Sequence, residues 1–149
     1  MLIRGEGDFE NIFKNHIINR PWGLFNTFAD NEQCTVKILK VLPGQSLSMQ
    51  VHQYRDQFYY LFDNDFIVEY STRPIDFILL NNPNALVQWL TEYMIHHEAK
   101  EGEMFGFRRG VIHRLSYNGF RDFGRCLDIA FGWNDEEDII RIKDNYGRK

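Results

Sequence analysis

The chain has 149 residues, enough for one ordinary domain with a real core. Its formal charge of -4 leaves no basic footprint for nucleic acid. No apolar run is long enough to span a bilayer, and the two cysteines, Cys34 and Cys126, make neither a CxxC pair nor a disulfide framework. With no secretory core at Met1–Asp8, a reducing cytoplasm is the expected setting.

In chain order, Phe9, Ile12, Phe13 and Ile17 recur at helical spacing. They predict a short amphipathic helix or packed arm up to about Asn19, with His16 on its surface. Arg20-Pro21-Trp22-Gly23 is a rigid turn carrying a large ring, read as a plug for one end of a barrel in preference to a ligand contact. Leu24–Phe28 and Cys34–Leu42 predict strands, turned at Asp30-Asn31, with Lys37 and Lys40 on opposite faces.

The stretch Pro43–Asn64 opens on a Pro-Gly turn and then alternates. Leu47, Met49 and Val51 fall on one face of a strand and Ser48, Gln50 and His52 on the other. A second strand, Phe58–Phe62, would place Gln57 beside His52 if the two pair as a hairpin. Phe66–Tyr70 predicts a further strand. Pro74 and Asn81-Asn82-Pro83-Asn84 then interrupt the pattern, with Asn84 available as a cap. From Ala85 to His97 apolar residues recur at three and four, predicting an amphipathic helix. Its stripe either packs on the outside of a barrel or serves as a dimer contact or lid. Met104–Phe107, Val111–Tyr117 and Arg125–Gly132 predict strands, and Glu136–Arg148 a polar segment with an Ile139-Ile140-Ile142 edge. Many short strands with one peripheral helix predict an all-β barrel or double sheet, one domain over 1–149.

The spacing of Gly44, Gln50, His52, Gln57 and Asn64 resembles the first cupin motif, and Arg108-Arg109-Gly110-Val111-Ile112-His113 resembles the second. Beyond these, Arg20–Gly23, Val36-Lys37, Arg55, Gly110–Leu115, Glu137–Arg141 and the closing Asp144-Asn145-Tyr146-Gly147-Arg148 resemble the type II mannose-6-phosphate isomerase family. That family also forms the C-terminal half of bifunctional mannose-1-phosphate guanylyltransferases. The resemblance implies a jelly-roll cupin with an insertion at about 73–100. It also implies a divalent metal, zinc first, held by Gln50, His52, Gln57 and His113. The expected chemistry is interconversion of mannose 6-phosphate and fructose 6-phosphate through an enediol. Arg148, Arg141, Asp138 and Lys37 are the candidate catalytic residues, with Glu137 as a further candidate base. Arg55, Arg114 and Tyr54 are candidates for substrate binding. A sugar phosphate and a second copy of the chain are the expected partners.

The departures matter chemically. The family's acidic ligand is Gln57 here, a family histidine is Tyr54, the usual turn glycine is Asn64, and a usual proline is Arg108. Two imidazoles and two amides supply no negative charge, so metal is expected to bind weakly or be absent. Three readings follow: a hexose-6-phosphate isomerase, a cupin that binds a sugar phosphate or nucleotide sugar without turnover, or an accessory subunit docking a partner through its helix.

Overall fold

Period-two alternation along each strand decides what lies between two facing five-stranded sheets. The computed structural model describes residues 2–4, 16–132 and 135–149. The first sheet runs in the order β1 (Leu2–Arg4), β9 (Met104–Phe107), β6 (Asp56–Leu61), β11 (Gly124–Phe131), β4 (Cys34–Val41). The second runs β12 (Ile140–Lys143), β5 (Met49–Val51), β10 (His113–Tyr117), β7 (Phe66–Ser71), β8 (Met94–Ala99). A separate hairpin joins β2 (His16–Arg20) to β3 (Gly23–Thr27). Among the described residues all pairings are antiparallel except β1 with β9.

The main core lies between the sheets, where Tyr59, Leu61, Val68, Phe105, Phe107, Leu115 and Tyr117 are buried together. Two smaller cores cover the outer faces. Phe58, Ile129 and Phe131 lie under Phe28 and Ala29 on the first sheet. On the second, Met49, Val51 and Ile112 lie under the helix α1 (Pro83–Tyr93), through Leu86, Trp89 and Leu90. The apolar stripe of α1 therefore faces the barrel rather than solvent.

Several expectations are corrected by pairing. Gln57 does not reach His52 through a hairpin, because β5 and β6 belong to different sheets. The two meet across the sandwich instead. Leu47 turns inward to the main core, whereas Met49 and Val51 face out under α1, because the regular strand begins only at Met49. The helix ends at Tyr93, and Met94–Ala99 pairs with β7 as a strand, so His96 and His97 are strand residues. Asn82, not Asn84, caps the helix: its Oδ1 accepts from the Ala85 amide at 3.2 Å, and Pro83 opens the first turn. The expected N-terminal helix lies largely outside the described residues, but His16–Asn19 belongs to a strand. Trp22 plugs nothing; it sits at the tip of the hairpin and is 72% exposed.

Candidate functional site

The inward positions of three strands and one loop bring the polar centre together. His113 opens β10 and pairs with Gln50 of β5, and His52 follows β5 directly. Gln57 belongs to β6, whose neighbour β11 contributes Asp128 from the same inward face. His52, Gln57 and His113 are each at most 3% exposed. The two imidazole centroids stand 5.1 Å apart, close enough for joint action on one atom. His113 also stacks on Phe107, with centroids 4.5 Å apart.

Hydrogen bonding fixes the tautomers. His52 Nδ1 lies 3.2 Å from the Asp138 carbonyl and His113 Nδ1 lies 3.0 Å from the Val111 carbonyl. A carbonyl only accepts, so each Nδ1 carries the proton and each Nε2 presents a lone pair. Both rings stay neutral well below the usual range. Burial, then Arg55, holds His52 at about 4. Burial, then His52, holds His113 at about 3.

Both lone pairs meet Gln57. Its Oε1 stands 2.8 Å from His52 Nε2 and 3.0 Å from His113 Nε2, while its Nε2 donates to Asp128 Oδ1 at 2.8 Å. With oxygen toward the rings, three acceptors face one another and require a positive charge between them. Turned end for end, the amide satisfies everything without one. Its NH2 gives one proton to each ring, and its oxygen accepts from a protonated Asp128. Burial raises the Asp128 carboxyl toward that protonated form. The amide nitrogen then stands where a cation would. Among the described residues no three His, Cys, Asp or Glu side chains are grouped to hold a metal ion. A donor set of two imidazoles and one amide, with no carboxylate or thiolate, does not fit a resident divalent ion.

The other expected residues divide. Gln50 is inward, but its Oε1 accepts from Ser48 Oγ at 3.0 Å and no hydrogen bond joins it to the cage. Arg55 is 5% exposed and lowers both imidazoles, so it lies within the polar centre. Lys37 pairs opposite Asp128 on the inward side of β4, at the exposed edge. Asp138 is not a free base: its carboxylate accepts from the Gln53 amide at 2.9 Å and the Tyr54 amide at 3.1 Å, while its carbonyl holds His52. It is a positioning residue. Arg114 points outward, held by Glu69 at 2.5 Å, because it alternates with the inward His113 and Leu115. Tyr54 and Glu137 are exposed. Neither Arg114 nor Tyr54 reaches the interior.

Of the two C-terminal arginines expected at the site, Arg148 lines a cavity. A space of about 470 Å³ opens beside the β4 edge, lined in part by Leu39, Gln45, Leu47, Tyr146 and Arg148. Tyr146 Oη donates to Gln45 Oε1 at 2.7 Å. Arg148 is half exposed and donates Nη2 to Asp144 Oδ1 at 2.7 Å, which holds that carboxyl down at about 2. Arg141 pairs opposite Gln50 and donates Nη1 to the Lys149 carbonyl at 2.6 Å. Its Nε is buried without a hydrogen-bond partner among the described residues.

Sequence reasoning missed two interior groups, Asp128 and Tyr59. Tyr59 is fully buried and its hydroxyl has no hydrogen-bond partner among the described residues. A polar residue between Cys126 and Ala130 on the buried face of a strand was the available signal for Asp128.

Two facing sheets around a buried pair of imidazoles define a cupin. Residues 8–96 match the family described as mannose-6-phosphate isomerase C-terminal, and the chain belongs to that family. It is 26% identical over 132 residues to the xanthan biosynthesis protein XanB of Xanthomonas campestris, covering 88% of this chain and 23% of that protein. It is 24% identical over 149 residues to the mannose-1-phosphate guanylyltransferase ManC of Salmonella typhimurium, covering 98% of this chain and 26% of that one. The chain thus spans about a quarter of the length of these curated relatives. In fold it is similar to an oxalate decarboxylase of B. subtilis, with TM-score 0.53 and 12% identity over 75% of this chain and 25% of that one. It is also similar to the capsular polysaccharide assembling protein CapF of Staphylococcus aureus, with TM-score 0.51 and 14% identity over 87% of this chain and 33% of that one. No helix among the described residues is long and apolar enough to cross a membrane.

Proposed function

We propose that this chain binds a hexose 6-phosphate of mannose metabolism and that binding is separated from the isomerase chemistry of its family type. The observation that carries the separation is the Gln57 amide lodged between the two imidazole Nε2 atoms. Moving a proton between adjacent carbons needs positive charge or donors at the enediolate oxygens. Both imidazoles are held neutral, and their lone pairs are directed at an amide. Phosphate recognition makes different demands. It needs guanidinium groups at an open surface, and Arg148 lines such a cavity. Family membership supports the sugar-phosphate class.

Calorimetry with fructose 6-phosphate is expected to give heat that Arg148→Ala abolishes, while a coupled mannose-6-phosphate isomerase assay stays near background. Family-like turnover by zinc-loaded wild type would replace this reading with the isomerase one, which the convergence of His52 and His113 favours. No heat with either mannose or fructose 6-phosphate would remove the sugar-phosphate assignment.

A further inference from the structure

We propose that two copies of this chain associate by laying the β2–β3 hairpin of each along the open β4 edge of the other, with Trp22 as the anchor. The hairpin is the first half of the argument. Among the described residues β2 and β3 pair only with each other, and a lone two-stranded hairpin is marginal in water. Yet it presents Ile17, Trp22 and Leu24 at 61%, 72% and 56% exposure. Both of its faces are apolar. Ile17 pairs opposite Asn26 on one face, and Ile18 pairs opposite Phe25 on the other. Phe25 stacks under Trp22, centroids 6.2 Å apart, so the indole is held at the tip rather than folded back on the barrel.

The second half is the edge. β4 is eight residues long and, among the described residues, bonds to β11 on one side only. Long open edges with apolar side chains are ready templates for another strand. On its outward face Val36 and Ile38 are 57% and 58% exposed. Two cavities, of about 820 and 470 Å³, flank the strand, and Ile38 and Lys40 line both. The larger is also lined by Phe120 and Phe123, with Asp122 and with Arg121 and Arg125 paired to Asp63. An indole entering it would meet the apolar walls of Ile38, Phe120 and Phe123, the surroundings a Trp ring favours.

Size and symmetry agree. Twelve residues of the hairpin and eight of β4, twenty in all, reach the roughly 20–30 per side that a stable interface uses. Hairpin and edge belong to the same chain, so a two-fold axis makes the contact twice and closes the assembly. The α1 helix offers no rival surface of this kind, since its apolar stripe is spent on Met49, Val51 and Ile112.

Analytical ultracentrifugation is expected to give wild type twice the 17.8 kDa chain mass. Trp22→Ala/Leu24→Ser and Val36→Lys/Ile38→Lys should each sediment as a monomer with unchanged far-ultraviolet circular dichroism. Mixed together, the two variants retain one intact hairpin–edge contact and should recover a heterodimer. A second arm does not depend on disruption. In a Cys34→Ser background, Trp22→Cys chains mixed with Ile38→Cys chains should form a disulfide between copies under mild oxidation. A monomeric wild type overturns the proposal. So does a dimer that survives both double variants, or one that gives no such cross-link.

Discussion

Replacing the Gln57 amide nitrogen with a second oxygen would remove both protons that the two imidazoles share. A carboxylate there faces two lone pairs and must recruit protons or a metal ion, whereas the amide satisfies both rings by itself. The same change adds the charge that a divalent ion lacks in the present cage. Gln57→Glu is therefore expected to bind zinc, manganese or nickel more tightly than wild type. Ligand bound only to the native state at a hundredfold its Kd stabilises by about 2.7 kcal/mol, which in a chain of this size raises Tm by roughly 5–10 °C. Melting curves across a titration of each metal provide the measurement. Equal shifts in wild type and variant would refute the charge argument. At this scale the sequence was partly legible: the resemblance to the two cupin motifs placed His52, Gln57 and His113 at one centre. Asp128 was missed although a lone aspartate in an apolar run is a signal, because its role emerges only once its strand is paired with β6.

Elements were legible where local pattern and tertiary packing agree. The strands at Cys34–Val41, Phe66–Ser71 and Met104–Phe107 follow alternation that the barrel preserves. Around Met94–Ala99 the two signals conflict. Helical spacing continues through His97, yet β7 has an unsatisfied edge there, and its ladder takes the segment as a strand. The route that brings Gln57 to His52, though not the pairing itself, was misassigned for a related reason. A short polar loop suggests a hairpin, but this one carries the chain from one sheet to the other. The start of α1 offers a direct test of local control. Asn82 also receives the end of the preceding 3-10 turn, its amide donating to the Leu79 carbonyl at 3.1 Å, so one residue closes one element and opens the next. Asn82→Ala should lower stability by about 1 kcal/mol, the usual value of a lost cap. Asn82→Asp, which keeps the capping oxygen, should not. Urea denaturation of the three proteins distinguishes them, and an Ala variant as stable as wild type would show that packing against Ile112 and Val51 alone holds the helix.

For the whole molecule, the neutral centre makes stability depend on pH with a definite sign. In the unfolded chain both imidazoles titrate near 6.5, whereas folding holds His52 at about 4 and His113 at about 3. Between pH 6.5 and 4 the unfolded state therefore binds more protons, and acidification favours it. Each histidine contributes at most about 1.4 kcal/mol per pH unit in that window. Asp128 acts oppositely, since a raised carboxyl binds its proton earlier in the native state, and it offsets part of the slope. Asp144 is silent there, because its stabilisation by Arg148 is lost only as pH falls through about 2. Two groups against one leave a net loss. The Tm of wild type should fall steadily from pH 7 to pH 4.5. In His52→Gln, which keeps a polar group but removes one titration, the fall should be clearly shallower, even if the variant melts lower throughout. Differential scanning calorimetry across that range decides the matter. A flat wild-type profile, or one whose slope His52→Gln leaves unchanged, would mean that the two imidazoles are not the groups that set the acid limit of this fold.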